Sequence, residues 1–129
     1  MKSQFVSYEI ALALKELGFD EKCMGVYHRM DENFYMVREL NEGNPEYKIF
    51  APLWQQIEEW FREKHHLFIN VLGDGLNGTL KGFYYSITED GWINWYESVD
   101  DSKWYDTYEE AREAAILEAI KLVKEKTNE

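Results

Sequence analysis

The sequence predicts an α+β domain, a mainly antiparallel sheet of about five strands with three helices in the order α-β-β-α-β-β-β-α, layered as a sandwich. Three observations predict it. Apolar residues recur at helical spacing in three separate stretches, and runs rich in β-branched and aromatic residues lie between them. Turn-type residues join neighbouring strand-like runs directly, which favours hairpins over parallel crossovers. At 129 residues the chain reads as a single α+β domain over 1–129. Its 45% hydrophobic and 16% aromatic content argues for a packed core, although a net charge of −11 is compatible with disorder.

Ser7 caps a first helix whose Ile10, Ala13, Leu14 and Leu17 share a face. Gly18 ends it, and Phe19 folds back as the following hydrophobic contact. Cys23 to Arg29 and Phe34 to Leu40 are strand-like and joined through Met30-Asp31-Glu32-Asn33. Neither loop length sorts their polar from their apolar residues, so that register stays open. Asn41 to Pro45 is a loop, and Tyr47 to Phe50 is a short extended piece.

The second helix begins with Pro52 in its first turn, where a missing N–H costs nothing. Leu53, Trp54, Ile57, Trp60 and Phe61 form its apolar stripe; Arg62, Lys64, His65 and His66 complement the dipole at its end. Leu67 to Leu72 is a strand, followed by the glycine-rich loop Gly73 to Gly78.

Thr79 to Glu97 contains the clearest hairpin, turning at Glu89-Asp90-Gly91. A two-residue loop mixes polar and apolar groups on both faces. A three-residue loop with Thr88 opposite Trp92 sorts them, so that register is expected. It places Phe83, Tyr85, Ile87, Ile93 and Trp95 in the core, and Tyr84, Ser86, Thr88, Trp92, Asn94 and Tyr96 on the other face. Asp100-Asp101-Ser102 then breaks the chain, and Lys103 to Asp106 adds a short strand. Thr107 and Glu110 have capping-box spacing and open the longest helix, to about Lys124. Ala111, Ala115, Ile116, Ala119, Ile120, Leu122 and Val123 make its buried side.

Several function classes are disfavoured. No run approaches the ~18 apolar residues of a membrane span. Charges interrupt MKSQFVSYEIALALKEL, which reads as an amphipathic helix and not a signal peptide. The lone Cys23 cannot form an internal disulfide, so the cytoplasm is the expected compartment. The acidic excess, 25 Asp and Glu against 14 Lys and Arg, is dense from Glu89 to Glu113. Such a surface repels phosphate backbones and anionic lipid, so neither nucleic acid nor membrane is an expected partner. It serves solubility, or it docks a basic protein.

Chemistry-bearing motifs are sparse. Gly73-Asp74-Gly75-Leu76-Asn77-Gly78 matches a dinucleotide-binding spelling, but a strand follows where the pyrophosphate needs a helix N-terminus. His65 and His66 point about 100° apart on a helix and do not readily share a metal. There is no nucleophile elbow or phosphate loop. No catalytic residue, cofactor or metal ligand is therefore assigned.

The aromatic set offers more. Tyr84, Trp92 and Tyr96 fall opposite the expected core, and Trp104 and Tyr105 follow soon after. They form either a second apolar layer under the C-terminal helix or a partly exposed recognition platform. The candidate binding residues are Tyr84, Trp92, Tyr96 and Trp104, with Asp100 and Asp101 beside them. A protein partner fits the acidic setting best. A nucleotide stacked on Tyr84, Trp92 and Tyr96, its phosphates offset by Lys81, Arg38 or Arg29, is the alternative, and a homodimer seam also suits exposed aromatics.

FVSYEIALALKELGFDEKC, APLWQQIEEWFREKHHLF and DTYEEAREAAILEAIKLVKEK resemble, in wording and order, a family of small uncharacterised proteins of bacterial prophages and mobile elements. The resemblance covers the helices and leaves most hairpin residues outside it. It carries no known activity, cofactor or catalytic residue. It implies a cytoplasmic accessory protein acting between a mobile element and its host.

Overall fold

Ser7 and Gly18 do what their chemistry predicts. A computed structural model describes residues 2–37, 47–76, 79–89, 94–98 and 103–127. Helix α1 spans Tyr8–Leu17, and the Ser7 side chain accepts the Ile10 N–H at its start. Gly18 adopts φ 106°, and the Gly18 and Phe19 N–H groups donate to the Lys15 and Leu14 carbonyls. That left-handed residue is why glycine ends the helix. Ile10, Ala11 and Leu14 are buried, with Phe19 beside them in the core.

The α+β class and the antiparallel pairing hold, with three α-helices and six strands among the described residues. The strands divide between two three-stranded sheets, and the chain forms two compact units, Met1–Ile57 and Glu58–Glu129.

In the first unit, β1 (Gly25–His28) is central, flanked by β2 (Phe34–Met36) and β3 (Lys48–Ala51). Tyr27 lies opposite Phe34 and Ile49, which settles the register that the sequence leaves open. The expected extended piece at Tyr47 to Phe50 is thus the added sixth strand, β3. The Tyr27 hydroxyl donates to the Val6 carbonyl at 2.8 Å. Gly25 has a reason to lack a side chain, since a Cβ there would sit 2.6 Å from the Phe5 ring and 2.9 Å from the Ala51 carbonyl oxygen.

Helix α2 runs Trp54–His65, two residues later than Pro52 suggests. An antiparallel bridge between Phe5 and Leu53 holds this entry extended, and the Pro52 carbonyl accepts the Val6 N–H. Leu53 is consequently exposed and leaves the expected apolar stripe, whereas Trp54, Ile57, Trp60 and Phe61 are buried.

In the second unit, β4 (Leu67–Leu76), β5 (Thr79–Glu89) and β6 (Asn94–Glu97) form a meander with β5 central. β4 runs to Leu76, into the glycine-rich stretch expected to be a loop, with a register shift at Asp74 and Gly75; Asn77 and Gly78 lie outside the described residues. Helix α3 spans Tyr108–Thr127 and packs on β4 and β5. The Thr107 hydroxyl accepts the Glu110 N–H at 3.1 Å. Ala111, Ala115, Ile116, Ala119, Ile120 and Val123 are buried, as their spacing predicts. Lys126 in its last turn pairs with Glu89 at the end of β5.

Tyr105 supplies the expected extra extended residue. Its N–H and carbonyl exchange hydrogen bonds with Phe83, each 2.8 Å. Among the described residues no helix is long and apolar enough to cross a membrane.

Candidate functional site

The β5–β6 register decides which aromatic residues share a face. Ile87 pairs with Tyr96, Thr88 with Trp95 and Glu89 with Asn94. The expected loop, with Thr88 opposite Trp92, is therefore incorrect. The shift is by an odd number of residues, so every β6 position changes sides.

Tyr96 moves to the side of Ile87. Its ring lies 5.8 Å from that of Tyr85, and the two hydroxyls share a hydrogen bond. Tyr85 and Ile87 are buried as expected, and Phe83 is half-buried. Burial, the bond to Tyr96 and the nearby Glu118 carboxylate all push the Tyr85 hydroxyl pKa up. Burial and Glu118 raise Tyr105 as well. This is the face on which α3 rests. The backbone of Trp95 pairs with Thr88, and the burial expected of its side chain lies outside the described residues.

The opposite face carries Phe68, Asn70 and Leu72 from β4 and Tyr84, Ser86 and Thr88 from β5. Leu72 pairs with Tyr84, and the Tyr84 ring meets Trp104 at 5.7 Å in an edge-on arrangement of 68°. Gly82 lies close under the Tyr105 backbone, where a Cβ would sit 3.2 Å from the Tyr105 carbonyl oxygen. Phe68, Leu72 and Trp104 are 41%, 40% and 36% exposed. Ser86 is short and sits between Asn70 and Glu97 in the register, which explains why a polar residue on an open face is buried.

Of the candidate residues, Tyr84 and Trp104 come together and Tyr96 lies on the other side of the sheet. Trp92, Asp100 and Asp101 lie outside the described residues, as does the expected core residue Ile93. A nucleotide cannot use Tyr84 and Tyr96 as one stacking floor, because the sheet separates them. Phe68 and Leu72 are missed by a search for aromatic clusters. Their signal is the alternation of Phe68, Asn70 and Leu72 with Leu67, Ile69 and Val71, apolar on both faces where one covered face requires only one.

Ser98 was missed as well. It is fully buried, its hydroxyl accepts the Tyr85 N–H at 3.1 Å, and its carbonyl accepts the Lys103 N–H at 2.9 Å. It thereby ties β5 to Lys103 through one residue.

Other chemistry is thin. The Cys23 thiol is buried and pushed up to about 12, chiefly by desolvation, so it is a poor nucleophile. Among the described residues no cluster of three or more His, Cys, Asp or Glu could hold a metal. The GxGxxG spelling runs through the β4–β5 hairpin, with no helix N-terminus after it to receive a phosphate. Compared with family models, curated proteins and solved structures, the chain matches none.

Proposed function

We propose that the protein is a non-catalytic accessory protein, acting in the cytoplasm on behalf of a prophage or mobile element, whose open β4–β5 face binds a basic host or phage protein. The single observation that carries this reading is the exposed set Phe68, Leu72 and Trp104 on the sheet face opposite α3, with Leu72 and Trp104 beside Tyr84. Exposed apolar groups gathered on one face mark interaction sites, and Trp and Tyr are the favoured anchors.

Charge supports a basic partner. The chain carries −11 overall, Glu97 flanks the face across from Ser86, and Asp106, Glu109 and Glu110 are exposed. Such a field speeds encounter with a positive surface and disfavours nucleic acid itself. Occupying the nucleic-acid-binding surface of a defence protein would suit both features. The likeness to prophage proteins in the three helical stretches points to the same setting.

The test is affinity capture with wild type, Trp104→Ala, Leu72→Asp and Glu97→Lys, followed by rebinding of the captured protein in purified form. A basic protein should rebind wild type and weaken with salt, and Trp104→Ala should cost about 2 kcal/mol or more. Equal binding by all four would contradict the proposal. A dimer of the chain itself, dispersed by Leu72→Asp, would replace the basic partner with a second copy.

A further inference from the structure

A cavity of about 320 Å³ opens in the first unit where the end of α1 faces β3. Ala11, Phe19 and Phe50 supply apolar wall, and Lys15, Lys48 and Asp20 supply charge. That volume falls within the range of small-molecule sites, whose walls are mostly apolar with a few polar groups for orientation.

Lys48 sets this cavity apart. The residue is only 5% exposed, and its ammonium lies 5.8 Å from the centroid of the Phe50 ring. Among the described residues no carboxylate forms an ion pair with it, Asp20 included. A buried cation is costly unless a charge or several hydrogen bonds compensate it, and one aromatic face compensates weakly. The end of α1 offers little competition, because the Leu14 and Lys15 carbonyls already accept from Phe19 and Gly18.

We propose that this cavity binds a small aromatic monocarboxylate. Its carboxylate bridges Lys48 and Lys15, and its ring lies against Phe19 and Phe50. Two ammonium groups against the single Asp20 carboxylate leave one net positive charge, which matches a monoanion better than a dianion. This site is independent of the β4–β5 face, and either can fail without the other.

The probe is 1-naphthoate, titrated calorimetrically into wild type, Lys48→Met and Lys15→Gln. 1-Naphthamide serves as an uncharged control of the same shape, and 1-naphthyl phosphate as a dianion. Lys48→Met keeps the buried stem and removes only the charge; Lys15 is exposed, so its replacement leaves the fold alone. Saturable 1:1 binding of naphthoate is expected. Naphthamide should bind about tenfold or more weakly, each lysine variant should lose a similar factor, and the phosphate should not surpass the carboxylate. Naphthamide binding as tightly as naphthoate, both variants binding like wild type, or no saturable binding of naphthoate to wild type would overturn the proposal. Tighter binding of the phosphate would overturn the monocarboxylate assignment.

Discussion

Tyr96 stands opposite Ile87 across β5 and β6, with its ring 5.8 Å from that of Tyr85. This pairing sorts the aromatic residues of the second unit into structural and exposed sets. Tyr96 lies on the Tyr85 side of the sheet, whereas Trp104 meets Tyr84 on the open face. Tyr96→Ala should therefore lower stability by about 1–3 kcal/mol in urea titrations. Trp104→Ala should change stability less and partner binding more.

Ser98→Ala removes the acceptor of a buried backbone N–H, that of Tyr85. The expected loss is about 1–3 kcal/mol, the cost of an orphaned donor. Hydrogen exchange at the Tyr85 amide should quicken by more than global destabilisation alone explains.

Gly25→Ala puts a methyl group against Phe5 and the Ala51 carbonyl, with contacts below 3 Å. Phe5 can turn, but the carbonyl belongs to the β3 backbone. Thermal unfolding should show a loss of about 1–3 kcal/mol. Restoring room with Phe5→Leu should recover part of it.

Two titrations carry opposite signs. Desolvation raises the Glu58 carboxyl above its ordinary 4.5, against the pull of Arg112 and Arg62. The folded chain then holds that proton more tightly than the unfolded chain, so Glu58 subtracts stability as pH rises above 4.5. Glu58→Gln should raise Tm at neutral pH, with the gain vanishing at acid pH. Desolvation, Lys126 and His66 lower the His65 imidazole below 6.5. Its stabilising share is complete above that value and is lost as pH falls through the folded pKa. His65→Gln should flatten the mildly acid arm of the Tm profile.

Much of the fold was legible because local chemistry decided it. Ser7, Gly18 and Thr107 work within one turn of their own backbone, and the capping geometry confirms each. The buried side of α3 follows from periodicity, except that Leu122, expected with it, is half-buried. The hairpin register did not follow, because sorting by polarity puts Tyr96 with the polar face. Tyrosine is amphipathic and can face a core when its hydroxyl finds a partner, as Tyr96 does with Tyr85. The long β4 was obscured by Gly73 and Gly75, which read as loop. The division into two sheets had no local signature, since β1 chooses β3 as a neighbour across intervening chain. Within the candidate site, Tyr84 and Trp104 were legible as aromatics opposite the core, Trp104 exposed and Tyr84 half-buried. Leu72 entered only when pairing placed it beside Tyr84, and Phe68 only when pairing with Thr88 put it on the same face.

The proposed role of the open sheet face is tested most directly by a photo-crosslinking amino acid placed at position 72, compared with the same group at position 117 on α3. Leu72 is 40% and Leu117 48% exposed, so both report on accessible surface of the second unit. The account predicts a discrete adduct with a basic protein from position 72, lost on Trp104→Ala, and none from position 117. Equal labelling from both positions, or a discrete adduct from 117 alone, would contradict it.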